Sequence, residues 1–318
     1  MNSGHIKAAA PAAAFCLSKR QQSDAARNNQ SWLRRAPGLR SPTSPMSADA
    51  PNLDAYLTRI GYRGPRTPTY TTLAEIHACH AQTIPFENLD VQLGRVIRID
   101  LPSIEEKLVR ARRGGYCFEH NALLAAVLRR LGFTVTPLIG RVRWQIPAET
   151  VTALTHQLLR VETPDAGSCI ADVGFGSMSL YQPLRLVFDV EQSGCLEPRR
   201  LVNRGDYLAH QAKHNDTWID VYHFTLTPPQ PIDFEVSNWY TCANPQSAFL
   251  HNLRASLTLA DRRHTLFNRE FTLRYADGRT EKRTLETPAQ LLEVLADYFG
   301  LHFPPETRFG KPGAPWPQ

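Results

Sequence analysis

The chain turns on residues 113–121, Arg113-Gly114-Gly115-Tyr116-Cys117-Phe118-Glu119-His120-Asn121. Two glycines interrupt the backbone, an aromatic residue and a cysteine follow, and an amphipathic run begins at once. Leu124, Val127, Leu128 and Leu131 recur at helical spacing until Gly132 ends the run. The spacing predicts a helix with Cys117 in its first turn. Unpaired N–H groups and the helix dipole favour a thiolate there, the form in which cysteine is a nucleophile.

On the N-terminal side the pattern is helical from Asn52 to about Leu131. Leu53, Tyr56, Leu57 and Ile60 share one face and Gly61 stops it. Residues 72–82 read as a second helix, ended before Pro85. Ser103 and Glu106 form a capping-box signature for a third, expected to run to Gly114. On the C-terminal side the period changes to two. Segments 134–144, 154–162, 169–173, 207–212 and 218–226 are β-rich and separated by turn residues, which predicts an antiparallel barrel or sandwich. Pro228, Pro229 and Pro231 mark a linker. Segments 271–275 and 280–285 flank Asp277-Gly278, a hairpin signal. Thr287-Pro288 starts a last helix, which carries Leu291, Leu292, Leu295 and Phe299 and ends at Gly300. The chain after Phe303 is Pro-rich and expected to be irregular, and there is no internal repeat.

Of the 318 residues 42% are hydrophobic and 21% charged, ordinary for a soluble globular protein and ample for a sizeable core. The net charge of +6 belongs to residues 1–45, which hold seven Lys or Arg against Asp24 alone and leave 29 basic and 29 acidic residues beyond them. The basic balance therefore gives no argument for nucleic acid, and no apolar run has the length of a membrane span. Residues 1–45 read as a disordered basic extension. Their composition also fits a transit peptide; the plainer reading is an upstream extension with Met46 as the working start. Cys16, Cys79, Cys117, Cys169, Cys195 and Cys242 form neither a CxxC pair nor a disulfide framework, which points to a reducing, cytoplasmic setting and away from structural zinc.

A cysteine nucleophile needs a base and a group that orients the base. His156 stands in a strand pattern, Thr155-His156-Gln157-Leu158-Leu159, and Asp172 in a second, Ile170-Ala171-Asp172-Val173-Gly174-Phe175-Gly176. Neighbouring strands joined by a turn place the two side by side. Each residue also has an ordinary reading: a buried small hydrophobe for Cys117, a core or surface group for His156, a turn residue for Asp172. His77 with His80, and His210 with His214, have helical spacing but no third ligand nearby, so no metal site is expected.

The segments together resemble the arylamine N-acetyltransferases. The resemblance rests on Leu53-Asp54-Ala55-Tyr56-Leu57-Thr58-Arg59-Ile60-Gly61-Tyr62, Ile84-Pro85-Phe86-Glu87-Asn88-Leu89, residues 113–121, His156-Gln157 and Asp172-Val173-Gly174-Phe175-Gly176. Asp233-Phe234-Glu235, Asn238 and residues 245–249 also fit, so it spans about residues 50–300 in the family's order. It implies an α+β fold: a helical bundle, an antiparallel β-barrel and an α/β lid, with a cysteine-protease-like Cys-His-Asp triad. The corresponding divisions are a bundle at 46–132 bearing the nucleophile, a barrel at 133–230 bearing His and Asp, a linker at 231–255, and a lid with a C-terminal tail at 256–318. Cys117, His156 and Asp172 fall on the family's triad. Phe175 and Phe86 fall on the acceptor pocket, Thr152, Gly174 and Gly176 on coenzyme A contacts, and Glu87 with Arg113 on a pair that braces the catalytic loop.

The implied reaction is ping-pong acetyl transfer from acetyl-CoA through an acetyl-cysteine to an arylamine, hydrazine or hydroxylamine. No metal, nucleic acid or membrane is implied, and the expected state is a monomer or weak homo-oligomer. Thr241-Cys242-Ala243-Asn244 and Ala153 depart from runs seen in many members, which bears on coenzyme A contacts and not on the triad. The competing readings are an amide synthase that closes a natural-product ring, a cysteine hydrolase on the same triad, and a binding protein that kept the fold.

Overall fold

The computed structural model describes residues 50–193, 196–214 and 216–310. The predicted extension at 1–45 and Cys195 lie outside them. Among the described residues the chain begins with helices. Helix α1 (Leu53–Ile60) is capped by Asn52, whose side chain accepts from Ala55 N. Helix α2 (Tyr70–Thr83) is capped by Thr69. A two-residue strand β1 (Phe86–Glu87) and a single turn α3 (Leu89–Gln92) follow. Helix α4 (Leu101–Glu105) is capped by Asp100, three residues before the predicted cap Ser103. Asp100 accepts from Ser103 N, so Ser103 is inside the helix, and α4 opens into a π-helical turn (Glu106–Arg110) that ends short of Gly114. Helix α5 (Cys117–Arg130) runs as predicted, with Leu124, Val127 and Leu128 fully buried against Tyr56, Leu73, Ile76 and Ile104.

Strands β2 (Thr134–Val142), β3 (Leu154–Thr163), β4 (Gly167–Ala171), β5 (Leu184–Arg185), β6 (Arg199–Asn203), β7 (Leu208–His214) and β8 (Thr217–Phe224) form an antiparallel sheet in the order β5-β4-β3-β2-β8-β7-β6. Beyond β5 the chain returns to β6: Phe188 bridges Leu201, Gln192 bridges Arg199, and Asp189 N donates to Leu201 O at 2.8 Å. The sheet is thereby nearly closed into a barrel. Sequence periodicity missed β5 and β6, which are too short or too charged to show alternation. Strand β3 serves two cores, because successive side chains point to opposite faces. Leu158 packs inside the barrel with Leu138, Ile170 and Val221, whereas Leu159 and Val161 join the helical core.

The segment 231–255, expected to be a linker, is ordered. It contains α6 (Pro231–Ala243), started by Pro231 at its first position, and α7 (Ala248–His251), and it runs into the next strand. Strands β9 (Arg254–Thr258), β10 (Arg262–Phe267), β11 (Glu270–Tyr275) and β12 (Thr280–Thr284) form a second antiparallel sheet, and α8 (Pro288–Phe299) packs Leu291, Val294, Leu295 and Phe299 against it. Strand β1 joins this sheet, Phe86 pairing with Ser256. Phe86 also bridges Gly115, so the strand against which the glycine turn lies is itself held by a strand from the far end of the chain.

Candidate active site

The glycine turn sets where Cys117 stands. A Cβ on Gly114 would fall 2.0 Å from Pro85 O, so only glycine lets the turn lie against β1. Gly115 O accepts from Glu87 N at 2.7 Å, and Tyr116 N donates to Glu119 Oε2 at 3.0 Å, starting α5. The turn is braced by charges, the carboxylates buried and the cations half-buried. Arg113 Nη2 donates to Glu87 Oε1 at 2.7 Å and to Asp90 Oδ1 at 3.3 Å, and Lys107 Nζ reaches Glu119 Oε1 at 2.7 Å and Asp90 Oδ2 at 2.9 Å. The expected Glu87–Arg113 pair is therefore part of a larger network. Breaking one member would leave an uncompensated buried charge.

Cys117 is 5% exposed, and its Sγ lies 3.5 Å from Thr155 O on β3. His156 follows Thr155 and has the same parity as Leu158. The β3–β4 register pairs Leu159 with Ala171. One step further places Asp172 across from Leu158 and diagonal to His156, on the same face. Strand β4 ends at Ala171, so Asp172 stands one residue past the strand in which it was expected. His156 Nε2 donates to Asp172 Oδ2 at 2.8 Å, and both are buried. Asn121 Nδ2 and Gly174 N each donate to Asp172 Oδ1 at 3.0 Å. Asp172 N in turn donates to His77 Nε2 at 3.1 Å.

These contacts set the charges. Burial by itself lowers an imidazole pKa. For His156 the Asp172 charge and hydrogen bond outweigh burial, the Cys117 side chain adds to them, and the pKa rises to about 10. Burial by itself raises a carboxyl pKa; for Asp172 the His156 charge and the donors on its oxygens bring it down to about 2. At neutral pH the pair is an imidazolium against a carboxylate.

Aromatic rings enclose it. Phe175 meets the His156 ring edge-on at 4.9 Å between centroids, and Tyr222 lies at the same distance from it. Phe86 packs in one cluster with Tyr116, Cys117 and Phe118. Both expected pocket aromatics therefore border the cysteine–histidine pair. A Cβ on Gly174 would stand 2.8 Å from Cys117 Cα, and one on Gly176 would stand 3.0 Å from the Phe86 ring. The protein itself thus crowds both positions expected to face coenzyme A. Thr152 Oγ1 donates to Val142 O at 3.0 Å within the loop before β3.

Sequence reasoning assigned no role to Asn121, His77 or Tyr222. Asn121 carries a usable signal, since it lies one helical turn beyond Cys117 and on the same face. His77 and Tyr222 reach the site only through the fold. Of the four histidines weighed for a metal, three have hydrogen-bond partners, His77 Nδ1 with Tyr181 O at 3.1 Å, His80 Nε2 with His120 Nδ1 at 2.8 Å, and His214 Nδ1 with Arg274 at 2.9 Å, whereas His210 is buried with neither ring nitrogen hydrogen-bonded. Among the described residues no group of three or more His, Cys, Asp or Glu is placed to hold a metal ion.

Residues 69–307 match a family model described as N-acetyltransferase. The arylamine N-acetyltransferase of Escherichia coli is 43% identical over 253 residues, which cover 79% of this chain and 89% of the relative. That of Mycobacterium bovis is 40% identical over 254 residues, with the same coverage. The solved structure of Mycobacterium marinum arylamine N-acetyltransferase in complex with CoA superposes with a TM-score of 0.76 at 39% identity, covering 78% of this chain and 92% of that one.

Proposed function

The chain belongs to the arylamine N-acetyltransferase family, and from that premise we propose that it carries acetyl groups from acetyl-CoA to arylamines, arylhydrazines and arylhydroxylamines through Cys117. One observation carries the reading. A cysteine heading a helix, a buried histidine and a buried carboxylate converge from α5, β3 and the end of β4, and the histidine is held as a cation beside the sulfur. That arrangement suits a thiolate–imidazolium pair, with Asp172 fixing the ring and balancing its charge.

In the first half-reaction the Cys117 sulfur bonds to the acetyl carbonyl carbon. The bond from that carbon to the coenzyme sulfur breaks, and coenzyme A leaves as a thiol with the proton of His156. N–H groups in the first turn of α5 face the developing oxyanion. In the second half-reaction the neutral amine nitrogen attacks acetyl-Cys117. Its surplus proton passes to His156 and the Cys117 thiolate departs, restoring the ion pair. Weakly basic arylamines are unprotonated near neutrality and need no prior deprotonation. Phe86 and Phe175 offer an aromatic acceptor two faces to lie against, and Thr152, Gly174 and Gly176 are the candidate coenzyme contacts. No described helix is long and apolar enough to cross a membrane. Cys79, Cys117, Cys169 and Cys242 are unpaired, in keeping with a reducing cytoplasm.

Intact-mass spectrometry after mixing with acetyl-CoA tests this. One acetyl group should appear on Cys117 and vanish, as acetylated product, when an arylamine is added. No adduct with acetyl-CoA, together with cleavage of a glutaminyl peptide, would replace the reading with a hydrolase.

A further inference from the structure

Helix α6 and the turn α7 lie over the nucleophile. Phe234 and Cys242 from α6, with Phe249 and Leu250 from α7, pack against the cluster that contains Phe86, Tyr116, Cys117 and Phe118. Phe234 meets Phe118 edge-on at 6.4 Å, and Phe249 lies 5.8 Å from Tyr116 and 6.2 Å from Phe86. The inner face of α6 carries two adjacent polar residues, both buried. Asn238 Oδ1 accepts from Tyr116 Oη, and its Nδ2 donates to Ile97 O at 3.0 Å. Ser237 Oγ donates to Leu154 O at 2.8 Å. Tyr116 immediately precedes Cys117, and Leu154 is two residues before His156. The two attachments therefore straddle the reacting pair, one on the cap of the nucleophile helix and the other on the strand of the base. The outer face of α6 bears Ile232, Val236 and Trp239, each more than half exposed.

We propose that Asn238 and Ser237 are positioning residues that latch α6 over Cys117, and that this latch governs whether an acyl group on the sulfur meets an amine or water. The second part rests on the acetyl-transfer reading above. With the latch open, a water oxygen bonds to the acetyl carbon and the carbon–sulfur bond breaks; one water proton goes to His156, the other leaves on the product as acetic acid, and Cys117 is released as the thiolate. Buried polar attachments suit this task, because they fix one seat for the helix where apolar packing alone would allow several.

The test uses Tyr116→Phe, Asn238→Ala and Ser237→Ala, with Ile232→Ser on the outer face as control. The first readout needs no catalysis: the rate at which a bulky maleimide labels Cys117, divided by the rate for iodoacetamide, read on the Cys117 peptide. The ratio should rise about tenfold in Asn238→Ala, equivalent to about 1.4 kcal/mol, rise in the same direction in Tyr116→Phe, and stay unchanged in the control. The second readout is acetate formed per acetylated amine, which should rise in step. Tyr116→Phe removes one oxygen and keeps the ring packing, so it separates loss of the latch from loss of the fold. An unchanged labelling ratio in folded Tyr116→Phe and Asn238→Ala overturns the latch. Absence of acetyl-Cys117 in the unaltered protein overturns the acetyl-transfer reading and leaves the labelling ratio to decide the latch alone.

Discussion

The barrel wall around His156 and the helical core around His77, His80 and His120 shut imidazoles away from water equally well, yet they leave them in opposite charge states. All four residues are at most 2% exposed. In the helical core burial prevails. It lowers the pKa of His77 and of His120 to about 4 each and takes His80 well below its ordinary value. Their partners explain why. Tyr56 Oη donates to His80 Nδ1 at 2.8 Å, His80 Nε2 donates to His120 Nδ1 at 2.8 Å, and His120 Nε2 donates to Pro85 O at 3.1 Å. Each ring gives one proton and takes one, an arrangement open only to neutral imidazole. At the barrel wall the partner is a carboxylate, and the ring is charged. Burial raises the stakes; the partner decides the sign.

The comparison can be broken most severely at the sulfur. Cys117→Ser should abolish transfer while leaving the circular dichroism spectrum unchanged; a large loss of ordered structure would instead give Cys117 a packing role. Asp172→Asn should make the barrel wall resemble the helical core. His156 loses the charge that holds it up, so transfer should fall by about a thousandfold or more, and iodoacetamide should label Cys117 more slowly at pH 6. Retained labelling kinetics would contradict the ion pair.

The helical core is probed by acid. Where the folded pKa lies below the unfolded one, the unfolded chain binds protons that the folded chain refuses. Stability therefore falls as pH drops from about 6.5 toward about 4. His77 and His120 should each contribute on the order of 2–3 kcal/mol to that loss. Denaturant titrations should show the slope, and His77→Gln should flatten it by about one proton. His156 has the reverse sign: its contribution is complete below its unfolded value and is lost as pH rises through about 10. The smallest effect is expected for Tyr56→Phe, which leaves His80 Nδ1 without its donor at a cost of about 1–3 kcal/mol. No change in melting temperature would mean that the relay adds nothing.

Much of this was open to reading along the chain. The helix after the double glycine, the stop at Gly61, the cap at Thr287, the hairpin at Asp277-Gly278 and the strand alternation around His156 are local patterns, and local patterns report local hydrogen bonding and burial. The failures have physical causes too. Ser103 imitated a cap because Asp100, three residues earlier, was passed over. Strand β6 contains two arginines, and one of them, Arg199, is buried only because Glu197 meets it at 2.9 Å. The prolines marked a boundary without revealing the helix that starts there: Pro231 sits at the first position of α6, where its missing N–H costs nothing.

The amino-acid order by itself marked the longer helices and the strands with clear alternation and put a thiol at the head of one helix, because those outcomes depend on residues within a few positions of each other. Tertiary structure alone decided that Asn121 and His77 grip Asp172, that β1 is claimed by β9, that α6 packs against the cluster holding Cys117, and which buried histidine carries charge. Each of these depends on a partner brought from far along the chain, and in a low-dielectric interior the identity of that partner outweighs anything the neighbouring sequence dictates.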